Sequence, residues 1–402
     1  MYRLICVSAG NIREQLAHAE YLQANDLAEL ESPAQAWNPL AVGAFTEKVE
    51  IVSPGYEGWQ AFGVAGDLCP TSRTGTWKKT WPIKPDIVLE GGNLGVDPAD
   101  QRGYGVADLQ LTTTSRDYPA AVFEGVWETS AATASASRLA AMIQHEYPNL
   151  WPETVRALIV SSANWSEAML THLPPNASKA DRVPLLRRYG FGIPDYDRAM
   201  RSARNNLALV EQSVIQPFAK HPGQGPSLNE MRSFNLPWPT VALNALGAAD
   251  VEMRVTLSYF IEPNPAESAR GRKSRYASHG LRFAVKMADE SVEEFRKRIN
   301  KAARTQGEPV AHLNDTGWAL GPVLRDRGSL HSDIWKGPAT DLARRGTIAV
   351  YPVGGWWTER VQQERINSSA RFALVIALAT PGIDVDIYTS ITNQIAVPVQ
   401  VG

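Results

Sequence analysis

Two short apolar runs with a helical pattern between them open the chain. Residues 3–7 form a brief apolar strand, residues 13–30 place apolar side chains at helical spacing, and residues 40–45 read as a second strand. Strand, helix, strand in that order predicts the α/β class: an open, mainly parallel sheet with helices on both faces. Such sheets carry their sites beyond the C-terminal ends of the strands, and Asn11 lies just past the first run. Residues 46–82 break the rhythm. They contain Gly55, Gly58, Gly63, Gly66, Pro70 and Gly75 together with Trp59, Trp77 and Trp81, which predicts a structured surface loop, either a rim to a site or a packed insertion.

Farther on, the period changes. Residues 251–261, 281–287, 347–351 and 371–379 are strand-like, several of them alternating apolar with polar positions, with turn-forming clusters between. Residues 292–303 hold Phe295, Ile299 and Ala302 at spacings of four and three, the stripe of an amphipathic helix. This half predicts an antiparallel β-sandwich. Pro222, Gly223, Gln224, Gly225, Pro226 and Ser227 mark a linker over 218–240, which divides the chain into domains 1–217 and 241–402. Gly354, Gly355, Trp356 and Trp357 read either as core packing or as a partner surface.

Composition narrows the function classes. A chain of 402 residues, 44% hydrophobic and 20% charged, can bury a substantial core in two domains. Its net charge of -2 provides no electrostatic footprint for nucleic acid. No run of 18 or more apolar residues appears, so no membrane-spanning helix is expected. Cys6 and Cys69 are too few for a disulfide framework or a zinc cluster and suit a reducing, cytoplasmic setting. Asp97, Asp100 and Asp108 lack the spacing of a calcium loop, and no metal or cofactor is expected.

The chemistry concentrates at Glu128, Thr129 and Ser130, followed by Ala131, Ala132, Thr133, Ala134, Ser135 and Ala136. This is a helix of small residues with hydroxyls at its mouth. The uncapped N–H groups of a first turn and the positive end of the helix dipole favour an oxyanion in front of them, and small residues let such a helix press on a sheet. Four further segments surround it in order. They are Val7, Ser8, Ala9, Gly10 and Asn11; residues 38–44, with Val42, Gly43 and Ala44; Lys84, Pro85, Asp86 and Ile87; and, beyond the serine, Tyr147, Pro148, Asn149 and Leu150 followed by residues 155–159, with Tyr189, Gly190, Phe191 and Gly192 farther on.

Together these segments, over residues 2–217, resemble the C-terminal half of the catalytic domain of the subtilases, the subtilisin-like serine peptidases. The resemblance implies an N-terminally truncated subtilisin-like domain followed by a β-sandwich or jelly-roll-like domain. It also implies acyl transfer on a polypeptide substrate. Ser130 stands where the family has its nucleophile and Asn11 where a side-chain amide donates to the oxyanion. Ala9 and Gly10 stand where the family lines the pocket for the residue preceding the cut bond.

The same resemblance exposes what is missing. A serine nucleophile needs a base and a group that orients it. The family's Asp and His precede the Ala-Gly-Asn strand, so here they are expected from an upstream segment or a separate chain. None of His18, His145, His172, His221, His279, His312 and His331 stands in the family's His-Gly-Thr context. His145 reads as a surface residue at a helix end, and His279 with Gly280 as a turn before a strand. Lys84 reads as a surface group near a strand start. Glu128 replaces the family's Gly and Ala134 its Pro. A carboxylate there either opposes the developing oxyanion or turns outward to shape preference on the leaving side. A serine endopeptidase part, weak or inactive on its own, is therefore the first reading. A non-catalytic relative serving as a peptide-binding or scaffolding module is the second.

Overall fold

In the computed structural model, residues 3–13, 18, 21–76, 81–200, 206–265, 276–305, 315–360 and 364–380 are described. They group into two compact units that divide between Ala199 and Met200.

Strand β2 (Leu40–Thr46) is the frame of the first unit, and every one of its seven residues is buried. An unbroken small and apolar run is what a parallel strand covered on both faces requires. It pairs in parallel with β1 (Cys6–Ser8), register Cys6↔Leu40, and with β4 (Ile87–Glu90), register Val42↔Ile87. A two-residue strand β3 (Asp67–Leu68) runs antiparallel to its C-terminal end. Helix α2 (Glu128–Glu146) packs against β1, β2 and β4. Its buried Ala131, Ala132 and Ala136 permit that close approach. Met169, Leu185 and Tyr189 close a second cluster with Phe45, Leu68 and Val88. Two of these come from α4 (Arg182–Tyr189), which follows α3 (Pro152–Ser162). Alternation along β2 sends Phe45 to the face opposite Ala44, so the sheet is layered on both sides as expected.

The helical pattern of 13–30 yields one two-turn helix, α1 (Tyr21–Leu27), while residues 14–17, 19 and 20 lie outside the described residues. The segment 46–82 is a packed insertion. Phe62, Leu68, Cys69, Ser72 and Thr74 are buried in it. The buried Asn25 of α1 donates through Nδ2 to the carbonyls of Cys69, Pro70 and Ser72 at 3.3, 3.0 and 2.7 Å. Of its three tryptophans, Trp77 lies outside the described residues.

One short hairpin stands apart from this sheet. Strands β5 (Leu111–Thr114) and β6 (Phe123–Val126) pair only with each other, register Leu111↔Val126 to Thr114↔Phe123.

Among the described residues, the second unit is built mainly on two antiparallel sheets. In one, β7 (Asn206–Ile215) pairs along its whole length with β13 (Ala370–Ala379). That sheet continues through β9 (Asp250–Tyr259) to β11 (Leu330–Pro338). In the other, β12 (Thr347–Val353) is flanked by β8 (Arg232–Asn235) and β10 (Gly280–Val285). Phe234 of β8 meets Phe372 of β13, ring centroids 6.2 Å apart, so the sheets touch through aromatic side chains.

Two expectations change here. A boundary after 217 would cut β7 from β13, so 206–217 belongs with the second unit. The 218–240 stretch is no linker: Phe218–Ala219 pairs with Ser227–Leu228 around the Pro- and Gly-rich turn, and Arg232–Asn235 enters a sheet. The helix expected over 292–303 is present as α5 (Val292–Arg304) and covers the three-stranded sheet. Its Phe295, Ile299, Ala302 and Ala303 pack on Ala349, Tyr351 and Val353. The apolar stripe of α5 needs a sheet face, and a reciprocal Ser291–Glu294 capping box fixes where the helix starts. Trp356 and Trp357 are core residues whose indole N–H groups donate to the carbonyl and carboxylate of Glu262.

Candidate active site

The N-terminus of α2 lies at the C-terminal end of the parallel sheet, where the Glu128 N–H donates to the carbonyl of Gly91, just past β4, at 2.6 Å. Gly91 must be glycine. A Cβ there would stand 2.5 Å from the Ala44 Cβ and 3.0 Å from the Glu128 carbonyl oxygen.

Asn11 closes the other side. Its Oδ1 accepts from the Thr129 N–H at 3.1 Å and from the Thr129 hydroxyl at 2.6 Å. The cap is thus supplied from β1's trailing loop, and the local N-cap position, Trp127, makes no side-chain cap bond. Thr129 and Ser130, though cap-forming residue types, do not cap the helix themselves. Because Glu128 is already the first helical residue, their own N–H groups fall inside the first turn. The consequence for Asn11 is specific. With both bonds on Oδ1, the amide's orientation is fixed and its NH2 is directed away from Thr129 as a donor. The Asn11 backbone is held too, its carbonyl accepting from Arg73 Nε at 2.9 Å. Thr129 is fully buried and Ser130 beside it is exposed.

Glu128 adopts φ +69°, a left-handed conformation that costs a non-glycine residue roughly 1–2 kcal/mol. The sequence noted Glu at a family glycine; the backbone supplies the reason the family has glycine. Burial pushes the Glu128 carboxyl above its ordinary value, partly opposed by the Arg13 charge.

Ala9 and Gly10 are placed less openly. Ala9 is fully buried, its N–H donating to Val42 O at 2.8 Å and its carbonyl accepting from the Glu31 N–H at 2.9 Å. Gly10 has φ +98°, and a Cβ on it would fall 2.6 Å from the Glu31 side chain. Glu31, paired with Arg73 at 3.3 Å, therefore lies over the glycine. Sequence reasoning missed Thr129 as the anchor of Asn11, and it missed Glu31 and Arg73 entirely. Nothing in their local sequence signals a role, since each acts across the tertiary fold.

The histidines have other engagements. His145 sits in the last turn of the same helix as Ser130, fifteen residues and roughly 22 Å along its axis. His172 Nε2 lies 2.9 Å from Asp67 Oδ2, and Tyr189 donates to the other oxygen. His18 Nε2 meets the Phe62 carbonyl at 3.0 Å. His279 is buried against Trp357 and Tyr259, and desolvation pulls its pKa down to about 3, unsuited to a base at neutral pH. His312 lies outside the described residues.

Lys84 overturns its reading as a surface group. It is buried, and its ammonium donates to Asp86 Oδ2 at 2.6 Å and to the Pro39 carbonyl at 2.8 Å. Asp86 Oδ2 also accepts the Ala41 N–H at 2.7 Å. The pair sits at the opposite, N-terminal end of the strands, which removes Lys84 as a partner for Ser130. The carboxylate of Asp108 accepts from Val52, Ser53 and the Ser53 hydroxyl, a loop-closing role. Among the described residues no three His, Cys, Asp or Glu side chains cluster as a metal site, and no helix is long and apolar enough to cross a membrane.

The chain is similar to several known proteins. The chain is similar to MycP1 from Mycobacterium smegmatis, at 18% identity over 49% of this chain and 41% of that one, with a TM-score of 0.25. It is also similar to the MycP3 protease from the type VII (ESX-3) secretion system, at 17% identity over 49% and 44%, TM-score 0.24. A serine protease of Aeromonas sobria aligns at 13% identity over 94% and 70%, TM-score 0.22. The chain spans half or less of the length of the MycP proteins it matches. Superpositions this loose carry no argument. No curated protein matches the chain. The Subtilase family model, by contrast, matches residues 2–192, the stretch that holds Asn11, Gly91 and Ser130. Over residues 2–192, just under half of its length, the chain resembles the subtilase family.

Proposed function

We propose that this chain is the nucleophile-bearing part of a subtilisin-like serine endopeptidase that cleaves polypeptides by acyl transfer. Ser130 is its nucleophile, and the Asn11 amide and the Ser130 N–H form its oxyanion site. The observation that carries this reading is the pair of hydrogen bonds from the Thr129 N–H and hydroxyl to Asn11 Oδ1, which leaves the Asn11 NH2 as an oriented donor at the mouth of α2. Preoriented donors of this kind act where charge develops in the transition state. Ala9 and Gly10 contribute backbone to the wall of the site, with Glu31 at its rim.

The general base and its orienting carboxylate come from an upstream segment or a separate chain. By itself the chain has weak activity or none. A fluorophosphonate probe is expected to leave Ser130 unlabelled in the 402-residue chain and to label it once the upstream segment is supplied. A folded, completed protein that stays unlabelled ends the peptidase reading. Glu128 supports the second reading, a non-catalytic peptide-binding relative, because a carboxyl held in a strained, half-buried position beside Ser130 opposes an oxyanion there.

A further inference from the structure

Hairpin β5–β6 leads straight into α2, yet its tip has no cover. Tyr118, Val122 and Phe123 are 77%, 64% and 63% exposed. With Pro119, Ala120 and Ala121 they make a continuous apolar tip, and among the described residues no third strand pairs with the hairpin. An isolated two-stranded hairpin has little stability of its own, and contiguous exposed apolar side chains mark interaction sites.

We infer that the 111–126 hairpin is a docking site for an extended, apolar segment of the polypeptide that reaches Ser130. The inference rests on the peptidase reading for what brings the polypeptide there. Three observations select this occupant. The tip is covalently continuous with the site: Phe123 precedes Ser130 by seven residues, at most roughly 23 Å of extended chain. A bound strand beside β6 covers that span with about seven residues of its own, so the apolar segment lies at about that distance from the reacting bond. The six-residue tip is far smaller than the roughly 20–30 residues a side that a stable dimer uses. Its charges are Arg116, Asp117 and Glu124, with no lysine, which disfavours an anionic lipid surface. Glu124 is moreover tied to the hairpin itself, accepting from the Ser115 hydroxyl and the Arg116 N–H.

The test is fluorescence anisotropy on the full chain with two fluorescein-labelled peptides, one carrying a Val-Phe-Val block and one with Ser-Ser-Ser in its place. The wild-type chain is expected to bind the apolar peptide about tenfold more tightly, the scale set by burying one large side chain. Val122→Ser combined with Phe123→Ser is expected to erase the difference while leaving the circular dichroism spectrum and melting temperature unchanged, since both side chains are exposed. Equal binding of the two peptides overturns the proposal, as does a double variant that keeps the preference. Binding of phosphatidylserine vesicles in place of the peptide, or a wild-type dimer that the double variant dissolves, overturns it in favour of those occupants. Ser130→Ala is expected to bind like wild type. Peptide binding that survives while the completed enzyme resists the fluorophosphonate would retire the peptidase reading and leave the docking site standing.

Discussion

The two ends of the parallel sheet are built on opposite principles. At the N-terminal end, Lys84, Asp86 and Arg156 are buried with matched partners. Asp86 takes the Lys84 ammonium and the Ala41 N–H, and Arg156 Nη1 donates to the carbonyls of Trp37 and Asn38 at 3.1 and 2.7 Å. Gly190 closes the same end through a contact too tight for a side chain; a Cβ on it would fall 2.3 Å from the Asp86 carbonyl oxygen. At the C-terminal end, Ser130 is exposed, Glu128 is left-handed and its carboxyl is unsettled by burial. One end locks the fold by satisfying its charges. The other holds an exposed serine beside a strained residue, the division expected when stability and function use separate residues.

The contrast can be broken most forcefully at the locked end. Asp86→Ala leaves the Lys84 ammonium buried without its counter-charge and the Ala41 N–H without an acceptor, and is expected to cost about 3–5 kcal/mol in denaturant unfolding of the chain. At the open end, Asn11→Ala in the completed enzyme is expected to lower turnover by roughly 100- to 1,000-fold with KM little changed; that magnitude is taken over from subtilisin. An unaltered turnover would refute the oxyanion role. Glu128→Gly removes the left-handed strain, offset by the extra freedom of glycine in the unfolded chain, and is expected to raise stability by about 1 kcal/mol or less. A loss of stability would show that the Glu128 side chain packs usefully after all.

The smallest effect concerns pH. A carboxyl whose folded-state pKa is raised makes the folded state hold its proton longer, so its contribution is greatest at low pH and is lost as pH rises through that value. Glu128→Gln cannot ionise. Its melting temperature is therefore expected to gain on wild type as pH rises above 4.5, the group's ordinary value, and the two curves should converge below it. Parallel curves across that range would mean the carboxyl is not desolvated.

Much of this site is visible in the chain because its parts are local. Small residues at 131, 132 and 136 announce a helix that presses on a sheet, and Ala9, Gly10 and Asn11 announce a strand end. The amphipathic stripe of α5 and strands β9, β10, β12 and β13 were similarly plain, each set by a period of 3.6 or 2, whereas β7 and β11 were not read from the sequence. Pro222 to Ser227 misled because a hairpin turn and a linker draw on the same residues, and only the pairing of Phe218–Ala219 with Ser227–Leu228 separates them. Lys84 misled because a lysine reads as exposed unless its acid is known to be near, and Asp86 becomes its partner only when Pro39 and Ala41 close around both.

By itself the sequence determined the α/β character of the first unit, the β-rich character of the second, and Ser130 and Asn11 as its candidate site residues. These follow from spacing along the chain and from motifs that keep their order. The tertiary structure alone decided that Asn11 is gripped through Thr129 rather than standing free, that Glu128 occupies a glycine's conformation, and that 206–217 joins the second unit. Each of those depends on groups far apart in sequence meeting across a sheet, where hydrogen-bond geometry and close packing, and no local propensity, set the outcome.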